Sequence, residues 1–449
     1  MRQSETLFWI WLAEALGAAS SDFRHIIESY ETPYDVYEAS SEELERYGTL
    51  KEKTVLSLSD KNLQRASEIL DACQRLGIGI LTYRSELYPQ SLREIKNPPV
   101  VLYYVGTVPK FEERLCIGLV GTRRMSEYGM ETAYKISYEL SSGNAVTVSG
   151  LAAGIDGVCA AATLKAGGTT VAVLGCGLDR AYPTHHGKLM NEVAKHGLLL
   201  SEYPPGTKPL FYNFPVRNRI ISGLSHAVVV VEAGLGSGSL ITAKEAVMQG
   251  KDVFAVPANA DGVGAEGANG LLRDGAFFAA CADDISRRYE YLFPSAFRAD
   301  LASEAKKRSR PDIGYLQSMG VLNRATSKDS TQTDEPSRST PRKSTTATKK
   351  IAPVDATEAD GKLQTRSDLK TVTKEPTAAS KPQMTSDAVL QSLNPVQLEV
   401  MQAIPDDQTV SSDVLIKLGY PYGEILTALT MLEIMGLVEK LPGGVYRKT

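Results

Sequence analysis

Four short segments of this 449-residue chain combine arginines, glycines and small polar residues in a way that suits phosphate binding. A guanidinium group offers a planar fork of N–H donors to phosphate oxygens, and glycine lets an anion approach the backbone closely. The segments supply Gly121, Thr122, Arg123 and Arg124; Ser149 and Gly150; Phe214, Arg217, Asn218 and Arg219; and Gly236, Ser237, Gly238 and Ser239, followed by Lys244. We therefore expect a phosphate site, and we assign no catalytic role to these residues.

The third segment places one aromatic residue and two arginines within six positions. Because residues two apart lie on different faces of a helix, we expect one of Arg217 and Arg219 to meet the ligand and the other to be structural. Phe214 has two possible roles: it either stacks on a nucleic-acid base or packs in the core beneath the loop.

From residue 115 onward, short apolar runs alternate with helical patterns, as in a protein built from alternating strands and helices. Continuous apolar runs, such as the valines at 228–231, are typical of parallel strands buried on both faces, so we expect a doubly wound parallel α/β sheet. Strands are predicted at 115–120, 145–149, 170–174, 227–231 and 252–256, and helices beginning near Glu127, Ile155, His186, Val216 and Leu240. The carboxyl ends of such strands share one edge, which brings the four segments together.

The composition changes along the chain in a way that predicts four regions. Residues 1–105 alternate short helical patterns with turns, and residues 106–298 hold the predicted sheet. Residues 299–388 are rich in Ser, Thr, Lys, Pro and Asp with almost no aromatic residues, a composition that predicts a disordered linker. Residues 389–449 show three helical patterns followed by a hairpin pattern, which is typical of a winged-helix domain.

The predicted recognition helix of the winged-helix domain carries Glu424 and Glu433 and no lysine or arginine. A protein that reads duplex DNA needs basic side chains on this helix to neutralise phosphates and contact bases. We therefore favour a protein contact over DNA as the role of this domain.

The motifs that the sequence lacks argue against several classes of protein. The first predicted strand is not followed by G-x-G-x-x-G, and G-x-x-x-x-G-K-[ST] does not occur, so we expect no dinucleotide cofactor and no nucleotide hydrolysis. The five cysteines are widely spaced, and His185-His186 has no evident third ligand, so we expect neither disulfides nor a bound metal. Since the formal net charge is −4, any DNA site must be a local cluster.

The apolar run at 7–12 predicts an amphipathic helix, because Glu14 interrupts it. No apolar stretch reaches the roughly 18 to 20 residues that a membrane span requires. We expect a protein of the reducing cytoplasm that does not contact a membrane.

Taken together, these motifs resemble those of the DNA processing protein A family, also called DprA or Smf. The resemblance rests on VGTRR at 120–124, VSGLAAGID at 148–156, VAVLGCGLDRAYP at 171–183, LSEYPPGT at 200–207, NFPVRNRIISGLS at 213–225 and SGSLITAKEA at 237–246. It implies a SAM-like helical N-terminal domain, an extended Rossmann-like domain that binds single-stranded DNA through the four segments, and a C-terminal winged helix. It also implies a homodimer that protects incoming DNA in natural transformation and loads the RecA recombinase onto it, without enzymatic activity.

Four positions depart from the pattern of that family. The family usually has a basic residue where Ala153 stands and commonly a histidine where Ala160 stands. It usually has a cysteine at the position of Ala268 and frequently a basic residue at that of Glu266. We expect each change to remove charge from the edge of the pocket and to alter DNA affinity.

An apolar group further along the chain has two possible roles, dimerisation or ordinary core packing. Its members are Leu271, Leu272, Phe277 and Phe278.

The alternative to DNA binding is an enzyme that acts on nucleotides, like the phosphoribohydrolases that share a related Rossmann variant. Glu245 is the candidate acid or base in that case. A glutamate on the helix surface beside Lys244 is the simpler interpretation of the same residue.

Overall fold

The structure, a computed structural model, falls into two compact units, one of residues 1–339 and the other of residues 340–449. In the first unit it describes residues 3–322 apart from 47–49, 260–261, 263 and 295–296. In the second it describes residues 395–448 apart from 406–408, 412–414, 416–417, 419, 421–424, 426–427, 430–431, 434–436 and 442–444. No helix in these ranges is long and apolar enough to cross a membrane.

Six helices form the N-terminal part of the first unit. They are α1 (Gln3–Leu16), α2 (Phe23–Ser29), α3 (Pro33–Glu38), α4 (Ser41–Arg46), α5 (Glu52–Ser59) and α6 (Gln64–Leu76). Helix α3 begins with a reciprocal cap, in which the Thr32 hydroxyl accepts from the Asp35 N–H and the Asp35 carboxylate accepts from the Thr32 N–H. The apolar run near the N-terminus lies in α1, where Trp9, Ile10 and Leu12 are buried in the core.

A nine-stranded sheet crosses the first unit. Its strands are β1 (Gly79–Thr82), β2 (Val101–Gly106), β3 (Cys116–Val120), β4 (Val146–Ser149), β5 (Thr169–Leu174), β6 (Leu198–Ser201), β7 (Ala227–Val230), β8 (Asp252–Ala255) and β9 (Phe277–Phe278). They lie in the order β1-β2-β6-β5-β4-β3-β7-β8-β9. The strands from β6 to β9 in this order pair in parallel, whereas β2 runs antiparallel to β6 and β1 runs antiparallel to β2.

The parallel sheet expected from the apolar runs is confirmed, and helices cover both of its faces. The helices are α7 (Gln90–Glu94), α8 (Glu127–Ser142), α9 (Ile155–Lys165), α10 (Gly187–His196), α11 (Asn213–Leu224), α12 (Gly238–Met248), α13 (Glu266–Arg273) and α14 (Ala282–Ser286). Alternate residues of β3 enter different cores: Ile117 and Leu119 pack on the side of α8, α9 and α10, and Val120 packs on the side of α11 and α12. Burial on both faces explains the continuous apolar runs.

The predicted domain boundary at residue 105 is not a boundary in the structure. Strands β1 and β2, which that boundary assigns to the helical domain, extend the central sheet through the pairing of Tyr104 with Leu200 and its neighbours. Strand β6 was not predicted, because a four-residue apolar run is equally compatible with the end of a helix.

The predicted start of the linker at residue 299 is wrong. Helices α15 (Ala299–Ala305) and α16 (Ile313–Ser318) follow directly, and Ala302 and Leu316 are buried. The Ser309 hydroxyl donates to the carboxylate of Glu139, a fully buried residue of α8, at 2.8 Å. These contacts make residues 299–322 part of the first unit, and the rest of the predicted linker, 323–388, lies outside the described residues.

The second unit contains α17 (Pro395–Gln402) and a three-stranded antiparallel sheet. Its strands are β10 (Val410–Ser411), β11 (Val438–Leu441) and β12 (Val445–Lys448), in the order β10-β12-β11. Val400, Leu432 and Tyr446 contribute to its buried core. The hairpin of the expected winged helix is confirmed, whereas most of the helices predicted at 412–418 and 422–435, including Glu424, lies outside the described residues.

Candidate nucleic-acid interface

The carboxyl ends of β3 and β7 meet at the point where the strand order reverses. The Thr122 N–H donates to the Glu232 carbonyl at 2.8 Å, and the Thr122 carbonyl accepts from the Ile155 N–H at 3.2 Å. Gly154 has a positive φ of 80°, and a Cβ atom there would lie 2.3 Å from the Thr122 carbonyl oxygen. Only glycine allows this close packing, which fixes the crevice where doubly wound sheets bind ligands.

Arg217, on α11, brings a buried positive charge with unsatisfied N–H donors into this crevice, and the nearby Asp156 carboxylate offsets part of that charge. The residue is only 4% exposed, yet its Nε and Nη1 atoms donate to no partner among the described residues. Burial lowers the pKa of Arg217 to about 10, with Asp156 opposing the shift, so the guanidinium remains charged at neutral pH. A buried cation with free donors is costly unless an anion binds it.

Gly150 makes room for the Arg217 guanidinium. A Cβ atom at position 150 would lie 1.8 Å from Nη1, so any other residue would displace the charged group. The Gly150 N–H donates to the Asp156 carboxylate at 2.9 Å. The pKa of Asp156 is raised, because the effect of burial exceeds the opposing effects of Arg217 and of this hydrogen bond.

The Phe214 ring supports both arginines. It lies 5.5 Å from the Arg123 guanidinium and 6.0 Å from that of Arg217, and it stacks on Tyr182 at 5.1 Å. A Cβ atom at Gly175 would lie 2.9 Å from the ring, so glycine lets the ring pack on the backbone after β5. We name the group of Arg123, Gly150, Asp156, Phe214 and Arg217 the arginine pocket. In it the half-buried Phe214 ring packs on the loop after β5 and contacts both cations, and its stacking on a base stays a prediction.

Arg219 is not part of the arginine pocket. Its Nη2 atom forms an ion pair with Glu202 at 2.6 Å, Nε donates to the Asn97 carbonyl at 2.9 Å, and Nη1 donates to the Val216 carbonyl at 3.2 Å. These protein contacts occupy the guanidinium and favour a structural role for Arg219 over the predicted DNA contact. Arg219 is therefore the candidate for the structural arginine of the pair.

The remaining predicted residues lie around the pocket in different environments. Arg124 is exposed, and its N–H donates to the Thr122 hydroxyl at 3.2 Å. Gly121 packs against Ile155, and Ser149 is buried at the end of β4. Asn218 Nδ2 donates to the Gly238 carbonyl at 3.3 Å, which ties α11 to the first residue of α12. Gly236, in the turn before α12, and Gly238 are exposed, and the Ser237 and Ser239 hydroxyls are 2.8 Å apart. Lys244 is exposed further along α12.

Two of the four departures from the family pattern do not affect the edge of the pocket. Ala160 and Ala268 are fully buried, so their side chains act through core packing, and the expectation that they remove charge from the edge is wrong. Ala153 is half-buried next to Gly154. A Glu266 carboxylate oxygen lies 3.9 Å from where a Cβ of Gly234 would stand, which puts a negative charge beside the turn before α12.

Three residues of the site were missed by the sequence reasoning. Asp156 and Gly175 lie within the quoted segments, but their roles depend on burial against Arg217 and Phe214, which one sequence cannot show. Tyr182 also lies within a quoted segment. The sequence shows it only as an aromatic residue in the loop after β5, and its stacking on Phe214 appears only in the structure.

Glu245, the residue on which the enzyme alternative rests, faces a different groove. This groove of about 700 Å³ is lined by Arg219, Asn97 and Gln249, with no member of the arginine pocket among its lining residues. Burial raises the pKa of Glu245, and Arg219 lowers it in opposition. In the described part of the chain, no group of three or more His, Cys, Asp or Glu residues could hold a metal ion.

Comparisons with known proteins match both units. The profile described as DNA recombination-mediator protein A matches residues 79–290, and the DprA winged helix domain matches residues 384–444. Protein Smf of Synechocystis is 30% identical to this chain over 458 residues, which cover 100% of both chains. DNA processing protein DprA of Bacillus subtilis is 43% identical over 231 residues, which cover 50% of this chain and 78% of the relative. The X-ray structure of DNA processing protein A from Streptococcus pneumoniae superposes with a TM-score of 0.56 at 31% identity, covering 63% of this chain and 97% of that one. The chain therefore belongs to the DNA processing protein A (DprA/Smf) family.

Proposed function

We propose that this protein binds single-stranded DNA by placing a backbone phosphate in the arginine pocket. One observation carries the proposal: the buried Arg217 guanidinium has two N–H groups with no partner among the described residues. A phosphate oxygen would accept these hydrogen bonds. Arg123 is exposed, lies 5.5 Å from the Phe214 ring and is placed to contact a neighbouring phosphate.

Two further arguments favour a single strand over other phosphorylated ligands. The most similar relatives include proteins named for DNA processing, which supports a nucleic acid. An aromatic ring close to two cations suits a strand with unstacked bases, because bases can contact the ring while phosphates contact the arginines.

Titration of labelled oligonucleotides at several salt concentrations tests this proposal. The wild-type protein is expected to bind a single strand more tightly than a duplex of the same length. Arg123→Ala is expected to weaken binding and to reduce the slope of log affinity against log salt by about 0.7, because one phosphate contact is lost. Equal affinity for the two DNA forms, or an unchanged slope in the variant, would contradict the proposal.

We further propose that the protein protects incoming DNA during transformation and loads RecA onto it, with no catalytic step of its own. Removing residues 389–449 is expected to leave single-strand affinity unchanged and to slow RecA assembly on the strand, because the acidic winged helix suits a protein partner better than DNA. RecA filament formation with the full and the shortened chain measures this effect. Unaltered RecA assembly combined with weakened DNA binding would show that residues 389–449 contact DNA and not RecA.

We also propose that the protein forms a homodimer through strand β9. This strand is the last in the sheet order, and Phe277 and Phe278 are 39% and 55% exposed on it. An exposed, apolar edge strand readily pairs with another chain. Leu271 packs against the core and is a weaker candidate for the interface. Sedimentation velocity of the purified chain distinguishes a dimer from a monomer.

A further inference from the structure

Three consecutive large apolar side chains stand in solvent immediately before helix α11. Leu210, Phe211 and Tyr212 are 38%, 54% and 49% exposed. The Phe211 and Tyr212 rings meet edge to face, with centroids 5.3 Å apart. Single exposed apolar residues are ordinary on protein surfaces, but a run of three is unfavourable in water unless it serves a function.

The backbone beneath these side chains is held by hydrogen bonds. The Leu210 carbonyl accepts from the Asn213 N–H at 3.0 Å, which closes a turn. Asn213 is buried, and its Nδ2 atom donates to the Gly175 carbonyl at 3.1 Å. The Tyr203 hydroxyl donates to the Asn213 carbonyl at 3.4 Å. The two rings are therefore presented to solvent from an anchored turn.

This turn adjoins the arginine pocket. Gly175, which anchors Asn213, also lies directly beneath the Phe214 ring. Phe214 in turn contacts the Arg123 and Arg217 guanidinium groups. The exposed rings consequently lie in the same segment as the Phe214 ring of the arginine pocket, two and three residues before it.

We propose that Phe211 and Tyr212 form a base-stacking subsite that continues the arginine pocket along the strand. The inference rests on the proposed function, because the strand must first be held by its phosphates. Cations followed by exposed aromatic rings match the alternation of phosphates and bases in single-stranded DNA, whereas an apolar protein partner would account for the rings alone. Stacking uses the face of a base, so the subsite accepts any of the four bases.

Substitution of both rings tests the subsite. Phe211→Ala combined with Tyr212→Ala is expected to weaken oligothymidylate binding about tenfold. The salt slope should stay at its wild-type value, because stacking releases no counterions. The ring-retaining pair Phe211→Tyr with Tyr212→Phe should bind like the wild type. Tyr291→Ala is the matched control, since Tyr291 is 76% exposed and interacts with Arg288, which pairs with Asp252 at the amino end of β8.

An oligonucleotide of abasic residues gives the second measurement. Wild-type protein should bind it about tenfold more weakly than oligothymidylate, and the double-alanine variant should show a smaller difference between the two, because only the Phe214 ring remains to contact a base. Full affinity of the double-alanine variant for oligothymidylate overturns the subsite; a smaller assembly for that variant in sedimentation would then assign the rings to self-association.

Failure of the proposed function has a different signature. In that case the wild-type protein binds neither oligonucleotide, or a variant without the Arg217 guanidinium binds oligothymidylate as tightly as the wild type. Either result overturns the phosphate site and the stacking subsite together. Loss of binding in the arginine variant with full binding in the double-alanine variant overturns only the subsite.

Discussion

Arg217→Met is expected to weaken binding of a single-stranded oligonucleotide by roughly ten- to a hundredfold, since hydrogen bonds from a charged donor contribute about 1.5–3 kcal/mol. The buried Nε and Nη1 groups have no partner among the described residues, so the phosphate is their natural acceptor. Methionine has an unbranched, apolar side chain that fills the space without offering a donor. Fluorescence anisotropy at fixed salt measures the change.

The matched control is Arg75→Met, which removes an exposed arginine from the last turn of α6. It changes the net charge by the same amount and should leave affinity nearly unaltered. Circular dichroism confirms that both variants are folded. Undiminished affinity in a folded Arg217→Met protein would mean that DNA does not enter the arginine pocket.

Arg219→Met should have the contrasting effect, a loss of about 3–5 kcal/mol in the free energy of unfolding, as expected when one partner of a buried ion pair is removed. The Arg219 and Glu202 side chains are each 7% exposed, and the second carboxylate oxygen of Glu202 already lacks a partner among the described residues. Without Arg219 the Ala19 N–H, at 3.3 Å, is the one hydrogen-bond donor left to this buried carboxylate among the residues that the structure describes. Chemical denaturation of the full chain measures the loss.

The double variant Arg219→Met with Glu202→Gln separates charge from packing. It should recover part of the lost stability, because no unpaired charge remains in the interior. Folded Arg219→Met protein should bind DNA with nearly wild-type affinity, since the guanidinium faces away from the arginine pocket. A large loss of affinity with unchanged stability would reverse the roles assigned to the two arginines.

The sheet was predictable because its strands are buried on both faces. The valines of β7 form an unbroken apolar run that few other structures require, and glycine-rich turns mark the ends of β3 and β4. Residues 299–322 were misassigned for the opposite reason: their composition is polar, and their order depends on long-range contacts such as that of Ser309 with Glu139. Local composition does not report such contacts.

The arginine pocket was predictable in its residue types but not in its geometry. Helical spacing separates Arg217 from Arg219, yet it does not say which one faces the crevice. Glu202, which holds Arg219, comes from the end of β6, the strand that the sequence did not reveal. The aromatic pair before α11 was overlooked because exposure is a property of the folded chain.

The unsatisfied N–H donors of Arg217 have a consequence for how this protein can evolve. Buried donors without an acceptor lower the stability of the empty protein, while a bound anion adds stability through mass action. Selection for heat resistance without DNA would therefore favour loss of the residue on which binding depends most. If relatives conserve this arginine, selection for DNA binding outweighs selection for the stability of the empty protein at this position.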